Sequence, residues 1–144
     1  MQTFLPYASF AASAAVLDRQ RLGKQRVENL QIMKALVTGK GWINHPATKM
    51  WRGHEPALYL YQFAVCKEWT DNRGYKDTCR AKTFGYLFSL IIENEDINYS
   101  MPAWLGDKAF HAAHRSNLLR KNPEWYGQFG WTEPDNLEYV WPIK

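Results

Sequence analysis

The chain has 144 residues, of which 46% are hydrophobic and 22% are charged, a composition that is typical of one ordinary globular domain and excludes disordered, collagen-like and fibrous proteins. The formal charge is only +4, but residues 1–82 carry 13 Lys and Arg against 6 Asp and Glu, whereas residues 83–144 carry 5 against 8. The basic residues therefore form a patch in the first half, which suits nucleic acid better than an evenly basic surface would.

The first predicted helix runs from about residue 14 or 19 to Leu36 and ends at Gly39 and Gly41. Three residues are candidate N-caps for this helix: Ser9, Ser13 and Asp18. Projected at 100° per residue, its apolar face also contains Arg19 and Arg26. Core faces rarely accept two arginines, so these side chains either extend to solvent or line a polar cleft.

A second face of the same helix presents Arg21, Lys24, Gln25 and Glu28, which are contiguous at helical spacing. One carboxylate among several cations is either a solvated salt-bridge cluster or a catalytic acid held among phosphate-binding side chains. The spacing alone leaves both interpretations open.

Residues 41–55 are too rich in Gly, Pro and Asn for a long element, and a second helix is predicted from Pro56 to before Gly74. A third helix, from about Thr78 to Ile92, is almost continuously apolar, so we expect it to be the central one. An acidic loop follows. Asp107 is a candidate cap for a fourth helix, after which the tail is aromatic and irregular. The sequence thus predicts a mostly α, compact single-domain helical bundle over residues 1–144.

The histidines do not indicate a metal site. His54 and Glu55 begin like a zinc-binding HExxH motif, but Leu58 stands where the second histidine is needed. His111 and His114 lie beside Arg115 in a stretch without acidic residues, which either binds phosphate or is simply solvated. We therefore expect neither a metal nor another cofactor.

Four stretches carry a resemblance to a known family: LDRQRLGKQRVE at residues 17–28, GWINH at residues 41–45, and residues 58–76 and 114–130. In this order they resemble the pyrimidine-dimer DNA glycosylases, the phage-type endonuclease V and its bacterial relatives. The resemblance implies a small helical protein that bends duplex DNA, extrudes a nucleotide and cleaves its glycosidic bond. It also implies a free N-terminal amine as nucleophile, followed by an apurinic lyase step through a Schiff base.

For the catalytic residues, the resemblance leaves alternatives open. The family's glutamate lies eleven residues after a leucine, a separation that Leu17 and Glu28 reproduce, whereas an alignment on the LG pair puts Val27 there. Phage-type enzymes expose threonine after losing the initiator Met. Here the bulky Gln2 follows Met1 and Thr3 is internal, so either the amine of Met1 acts or the lyase step is missing.

The leading hypothesis is a DNA glycosylase that excises damaged or modified pyrimidines from duplex DNA, with or without lyase activity. The alternatives are a DNA-binding module of the same fold that has lost its site, and an enzyme acting on free nucleotides or modified bases. We expect a cytoplasmic monomer, from a bacterial or phage-infected cell, that does not bind membranes. The expected DNA contacts are Arg19, Arg21, Lys24, Arg26, His45, Trp51, Arg52, His114, Arg115, Trp125, Tyr126 and Phe129.

Overall fold

The computed structural model describes residues 1–143, and within that range it is helical with no β-strand. The prediction of a mostly α fold is confirmed. The α-helices in chain order are α1 Phe10–Val16, α2 Arg19–Thr38, α3 Pro46–Lys49, α4 Glu55–Lys67, α5 Cys79–Glu93, α6 Lys108–Lys121 and α7 Pro123–Tyr126. A π-helical turn, Glu68–Asn72, extends α4, and a 3-10 turn, Gly127–Phe129, follows α7.

Of the two predicted starts of the first helix, Arg19 is the start of α2. The residues before it form a separate helix, α1, because the backbone is extended at Leu17 and Asp18. Ser9 caps α1 by accepting a hydrogen bond from the Ala12 amide at 3.1 Å. Asp18 precedes α2 without a side-chain cap and instead binds Tyr126 and Arg21. The break turns α1 away from the axis of α2, so that α1 packs on α4.

The central helix is α2, which packs against both α4 and α5. Gln62 of α4 joins the three helices: its amide group donates to the Arg26 carbonyl at 2.8 Å and to Thr83 at 3.0 Å, and its oxygen accepts from Asn29 at 3.1 Å. Buried polar groups satisfied in this way fix the relative positions of the helices. They hold the cation-bearing face of α2 in one orientation.

The prediction that the third long helix is the central one is wrong. In α5 only Cys79, Thr83 and Leu87 are buried, whereas three large apolar side chains are about half exposed or more: Phe84 47%, Phe88 50% and Ile92 68%. The helix is apolar around most of its circumference, but it lies at the edge of the bundle and is covered on one side. Hydrophobic content alone does not tell an edge helix from a central one.

Helix α6 begins at the predicted cap, where the Asp107 carboxylate accepts from the Phe110 amide at 2.9 Å. The chain beyond α7 and the 3-10 turn is irregular and lies against α6, where the Leu137 amide donates to Ser116 at 2.9 Å. No helix in residues 1–143 has the length and apolarity to cross a membrane.

Candidate active site

The first residues of the chain lie inside the protein. Thr3 and Leu5 are fully buried, and Gln2 and Phe4 are at least nine-tenths buried. Gln25 of α2 binds this segment twice, donating to the Gln2 carbonyl at 2.8 Å and accepting from the Phe4 amide at 3.0 Å. Chain termini usually fray unless they are tied down. The first residues of this chain are instead buried and hydrogen-bonded to α2.

Two histidines of α6 bind the backbone of Leu5 from the other side. His111 lies with Nδ1 2.7 Å from the Leu5 carbonyl, while its Nε2 accepts from the Gly106 amide at 2.9 Å. His114 accepts the Leu5 amide through Nδ1 at 2.9 Å. His111 thus carries its proton on Nδ1 and His114 on Nε2. These bonds require neutral rings, and burial is the main cause that lowers the pKa of both, that of His114 to about 3.

Because the segment is held in this way, Met1 and Gln2 lie at a surface cavity of about 260 Å³. Glu28 lies at this cavity with only 9% of its surface exposed. One of its oxygens is 3.3 Å from the Gln2 backbone nitrogen, and the other is 3.8 Å from Lys24 Nζ. The cavity is lined by Met1, Gln2, Phe4, Gln20, Arg21, Lys24, Gln25, Glu28, Lys121 and Tyr139. The structure therefore brings Met1 and Glu28 together.

Three cations from two helices line the cavity together with the carboxylate. Arg21 and Lys24 come from α2, whereas Lys121 comes from the end of α6. Arg21 also pairs with Asp18 at 3.2 Å. Partial burial lowers the pKa of Lys121, and repulsion from Arg21, Arg120 and Lys24 lowers it further. Positive charge is thus crowded at the cavity mouth, which favours an anionic ligand such as phosphate. We call Arg21, Lys24 and Lys121 the cationic rim.

His45 lies within electrostatic range of the N-terminal amine and of Glu28. Its pKa is lowered, chiefly by burial and then by the positive N-terminal amine, while Glu28 acts in the opposite direction. Its Nδ1 accepts from the Ala47 amide at 3.0 Å and caps α3. Of the sequence-predicted contacts, His45 therefore lies near the cavity although it does not line it.

The two arginines on the apolar face of α2 differ. Arg19 is exposed, whereas Arg26 is largely buried, binds Asp77 at 2.6 Å and lies 4.5 Å from the centre of the Trp69 ring. Arg26 therefore holds α2 against the loop before α5, and its guanidinium is already paired. Arg19 and Lys24 border a shallow neighbouring cavity with Trp69 and are accessible to a ligand.

Arg115 and Arg52 also have partners in the protein. Arg115 binds Glu133 at 2.7 Å and the Pro6 carbonyl at 2.7 Å, so that it anchors the tail to the N-terminal segment. Arg52 is exposed and donates to the Ile43 carbonyl at 3.0 Å. Of the two, only Arg52 offers an exposed guanidinium.

Four other candidate residues are buried. Trp51, His114, Tyr126 and Thr3 have at most 1% of their surface exposed. The indole of Trp51 donates to Thr3 Oγ1 at 3.1 Å, and the phenol of Tyr126 donates to Asp18 at 2.5 Å. None of these four side chains lines the cavity at Glu28. They bind the N-terminal segment or the residue before α2 instead.

The remaining aromatic candidates lie beside the start of α2. Trp125 is 37% exposed, and its indole donates to the Val16 carbonyl at 2.7 Å. Phe129 is half-buried and packs edge-on against Trp125, with 6.3 Å between ring centres. Trp125 is therefore accessible beside the start of α2, whereas Phe129 is partly covered. Within residues 1–143 no three His, Cys, Asp or Glu side chains are placed to hold a metal ion.

Sequence reasoning missed residues that come from far along the chain. Lys121 and Tyr139 line the cavity with Glu28, but neither lies near α2 in sequence. Gln25 was seen as part of a polar face, whereas its side chain points inward to hold the first residues. A basic residue at the end of a helix carries no local signal that it shares a cavity with another helix.

These features define a class of small helical proteins in which the start of the chain meets a nearly buried carboxylate under a cationic rim. The family model described as pyrimidine dimer DNA glycosylase matches residues 1–83, more than half of the chain. The chain belongs to this family of DNA-repair glycosylases, which confirms the resemblance. Searches of curated proteins and of solved structures gave no significant match. The matched range includes Met1 and Glu28, whereas Lys121 and Tyr139 lie beyond it.

Proposed function

We propose that this chain excises a damaged pyrimidine from duplex DNA, with the amine of residue 1 as nucleophile and Glu28 as the acid-base group. One observation carries the proposal: Met1 and Glu28 line the same cavity. The backbone next to that amine is buried and bonded to α2 and α6. A nucleophile held in place in this way loses little freedom when substrate binds.

The proposed step forms one bond and breaks another. The amine nitrogen bonds to C1′ of the deoxyribose while the bond from C1′ to N1 of the pyrimidine breaks, and the released base takes up a proton. Glu28 accepts the proton that the amine loses and stabilises the positive charge that develops on the sugar. Because a glycosidic bond inside a duplex is inaccessible, the nucleotide must leave the stack to reach the cavity.

The cationic rim is proposed to bind the phosphates on either side of that nucleotide. Arg21, Lys24 and Lys121 all line the cavity, so a DNA backbone that crosses it would lie near all three. Trp125, which is 37% exposed beside the start of α2, is proposed to contact unstacked bases, with the half-buried Phe129 packed against it. The buried Trp51 and Tyr126 have no part in this surface.

A lyase step follows from an amine nucleophile. Opening of the sugar ring converts the C1′–N bond to a Schiff base, from which the 3′ phosphate can be eliminated. The step needs a free amine at the cavity. If Met1 is removed, the Gln2 nitrogen becomes that amine, and it lies 3.3 Å from Glu28. Mass spectrometry of the purified chain identifies which residue comes first.

The test compares Glu28→Gln with wild type on ultraviolet-irradiated and undamaged duplexes. We expect wild type to release bases from the irradiated duplex only, and Glu28→Gln to be slower by roughly 10² to 10⁴. Duplex affinity should be equal or tighter, because a negative charge near the phosphates is gone. The exposed Asp135, changed to Asn, is the control that likewise turns a carboxylate into an amide, and it should retain wild-type activity.

Borohydride trapping tests the nucleophile separately. Borohydride reduces a Schiff base to a stable amine, so an active chain should become linked to DNA through its first residue. A chain that is active but cannot be trapped would show that water attacks C1′. Inactivity of wild type on every damaged duplex contradicts the proposed function. Wild-type activity that is unchanged in Glu28→Gln contradicts the proposed role of Glu28.

A further inference from the structure

Helices α4 and α5 expose a continuous apolar stripe on the outside of the bundle. Phe84 stacks on Phe88 at 6.0 Å between ring centres and packs against Tyr59 of α4 at 5.4 Å. Five large apolar side chains are 40% to 68% exposed there: Leu60, Phe63, Phe84, Phe88 and Ile92. Scattered exposed apolar residues are ordinary, but a contiguous group on one face marks an interaction surface. None of the five lines the cavity at Glu28.

Charge is segregated along this stripe. The two helices are antiparallel, because Arg80 at the start of α5 lies over Phe63 near the end of α4, and Glu55 at the start of α4 shares a surface cavity with Glu93. One end of the stripe is basic, with Lys67, Arg80 and Lys82, and the other is acidic, with Glu55, Glu93 and Glu95.

The acidic end of α5 has no compensating cation in its own helix. Its last turn carries Glu93 and no basic residue, although basic side chains normally stabilise the end of a helix. The start of α5 is satisfied within the chain, because the amides of Cys79 and Arg80 donate to the Asp77 carboxylate at 3.1 and 3.0 Å. The acidic end is thus the one that a cation from outside the chain would stabilise.

Gly85 lies in the middle of the exposed side of α5. A Cβ atom built there would meet nothing within 4 Å, so neither packing within the chain nor a positive φ requires glycine. Glycine in a helix interior is destabilising, but it lets another backbone approach closely. Its position between Phe84 and Phe88 therefore suits a helix crossing at this point.

We propose that this face binds a second copy of the chain, with α5 packed antiparallel against α5 of the partner across a two-fold axis near Gly85. The axis places the basic end of each stripe against the acidic end of the other, so one surface complements itself. The occupant is thus a second copy and not a foreign protein of one charge. The proposed dimer differs from the monomer expected from the sequence, and none of the five exposed apolar residues of the stripe lines the cavity at Glu28.

Complementary charge reversals test the self-pairing. Arg80→Glu/Lys82→Glu makes the stripe acidic at both ends, and Glu93→Lys/Glu95→Lys makes it basic at both ends. By sedimentation, wild type should reach twice the 16.9 kDa of one chain. Each variant alone should dimerise with a dissociation constant at least about tenfold weaker, and an equimolar mixture of the two should regain the dimer. Lys108→Glu, which reverses another exposed first-turn cation, should behave as wild type.

Two results overturn the proposal: a wild type that stays at one chain mass while the mixture also fails to associate, or a dimer that neither reversal weakens. Cross-linking gives a second measurement that needs no change of charge. Cys66 and Cys79 are buried, so in Gly85→Cys the introduced thiol is the accessible one. Oxidation should link two copies in Gly85→Cys and not in Gly127→Cys, another exposed helical glycine with open space around it. Equal cross-linking of the Gly85→Cys and Gly127→Cys variants would overturn the proposed packing of α5 against α5.

Discussion

Acidification should weaken the fold through His114. The ring is 1% exposed and accepts the Leu5 amide, and burial lowers its pKa from 6.5 to about 3. Above pH 6.5 the ring is neutral in the folded and the unfolded chain. As the pH falls below 6.5 the unfolded chain binds a proton that the folded chain refuses, and stability is lost until the pH reaches about 3.

The size of the effect follows from these two values. Between pH 7 and pH 5 the free energy of unfolding should fall by about 2 kcal/mol from this ring alone. For a chain of this length that loss corresponds to a decrease in Tm of about 5 to 8 °C. The carboxyl group of Asp77, whose pKa is lowered, adds a loss of the same sign, mainly below pH 5.

The assay compares the pH dependence of urea unfolding in wild type and His114→Asn. Asparagine offers an oxygen near the position of Nδ1, so it can accept the Leu5 amide, and it does not titrate in this range. The variant should be less stable at pH 7 but should lose about 2 kcal/mol less than wild type on going to pH 5. His111 is present in both proteins and cancels. If wild type and His114→Asn lose the same free energy of unfolding between pH 7 and pH 5, His114 is not a buried ring that stays neutral in the folded chain.

Three further predictions concern α2 and its surroundings. Arg21→Ala and Lys121→Ala should each weaken binding to any duplex and reduce the slope of log affinity against log salt by about 0.9, as titrations at several salt concentrations measure; an unchanged slope places the phosphates elsewhere. Gly23→Ala should lower Tm, because its Cβ would lie 2.9 Å from the Trp69 ring. Arg26→Ala should cost stability while leaving the salt slope of DNA binding unchanged, since its side chain is only 14% exposed, is bound to Asp77 and does not line the cavity at Glu28.

Local patterns predicted the elements better than their environments. The start at Arg19, one of the two predicted, the cap at Asp107 and the stop at Gly39 are confirmed, because helix ends depend on atoms within a few residues. Of the other candidate caps, Ser9 caps the separate helix α1 and Ser13 lies within it, and that separate helix was not predicted. The exposure of Phe88 was also missed, because it depends on where α5 lies in the bundle.

The candidate site could likewise be predicted only where it depends on local sequence. Glu28 and its neighbouring cations follow from spacing along one helix, and the structure places them at the cavity. The inward orientation of His114 and the arrival of Lys121 at that cavity depend on how α6 packs, which helical periodicity does not report. The basic stretch around the two histidines gave no sign that both rings bind the backbone of Leu5.

The bonds that hold the start of the chain also govern when the site can exist during synthesis. Leu5 emerges from the ribosome early, but its partners are more than 100 residues downstream. At about 5 to 20 residues per second, roughly 5 to 20 s separate the synthesis of residue 5 from that of α6. Until then only the bonds from α2 can hold the first residues beside Glu28, and the bonds from α6 to Leu5 and the Lys121 side of the cavity are missing.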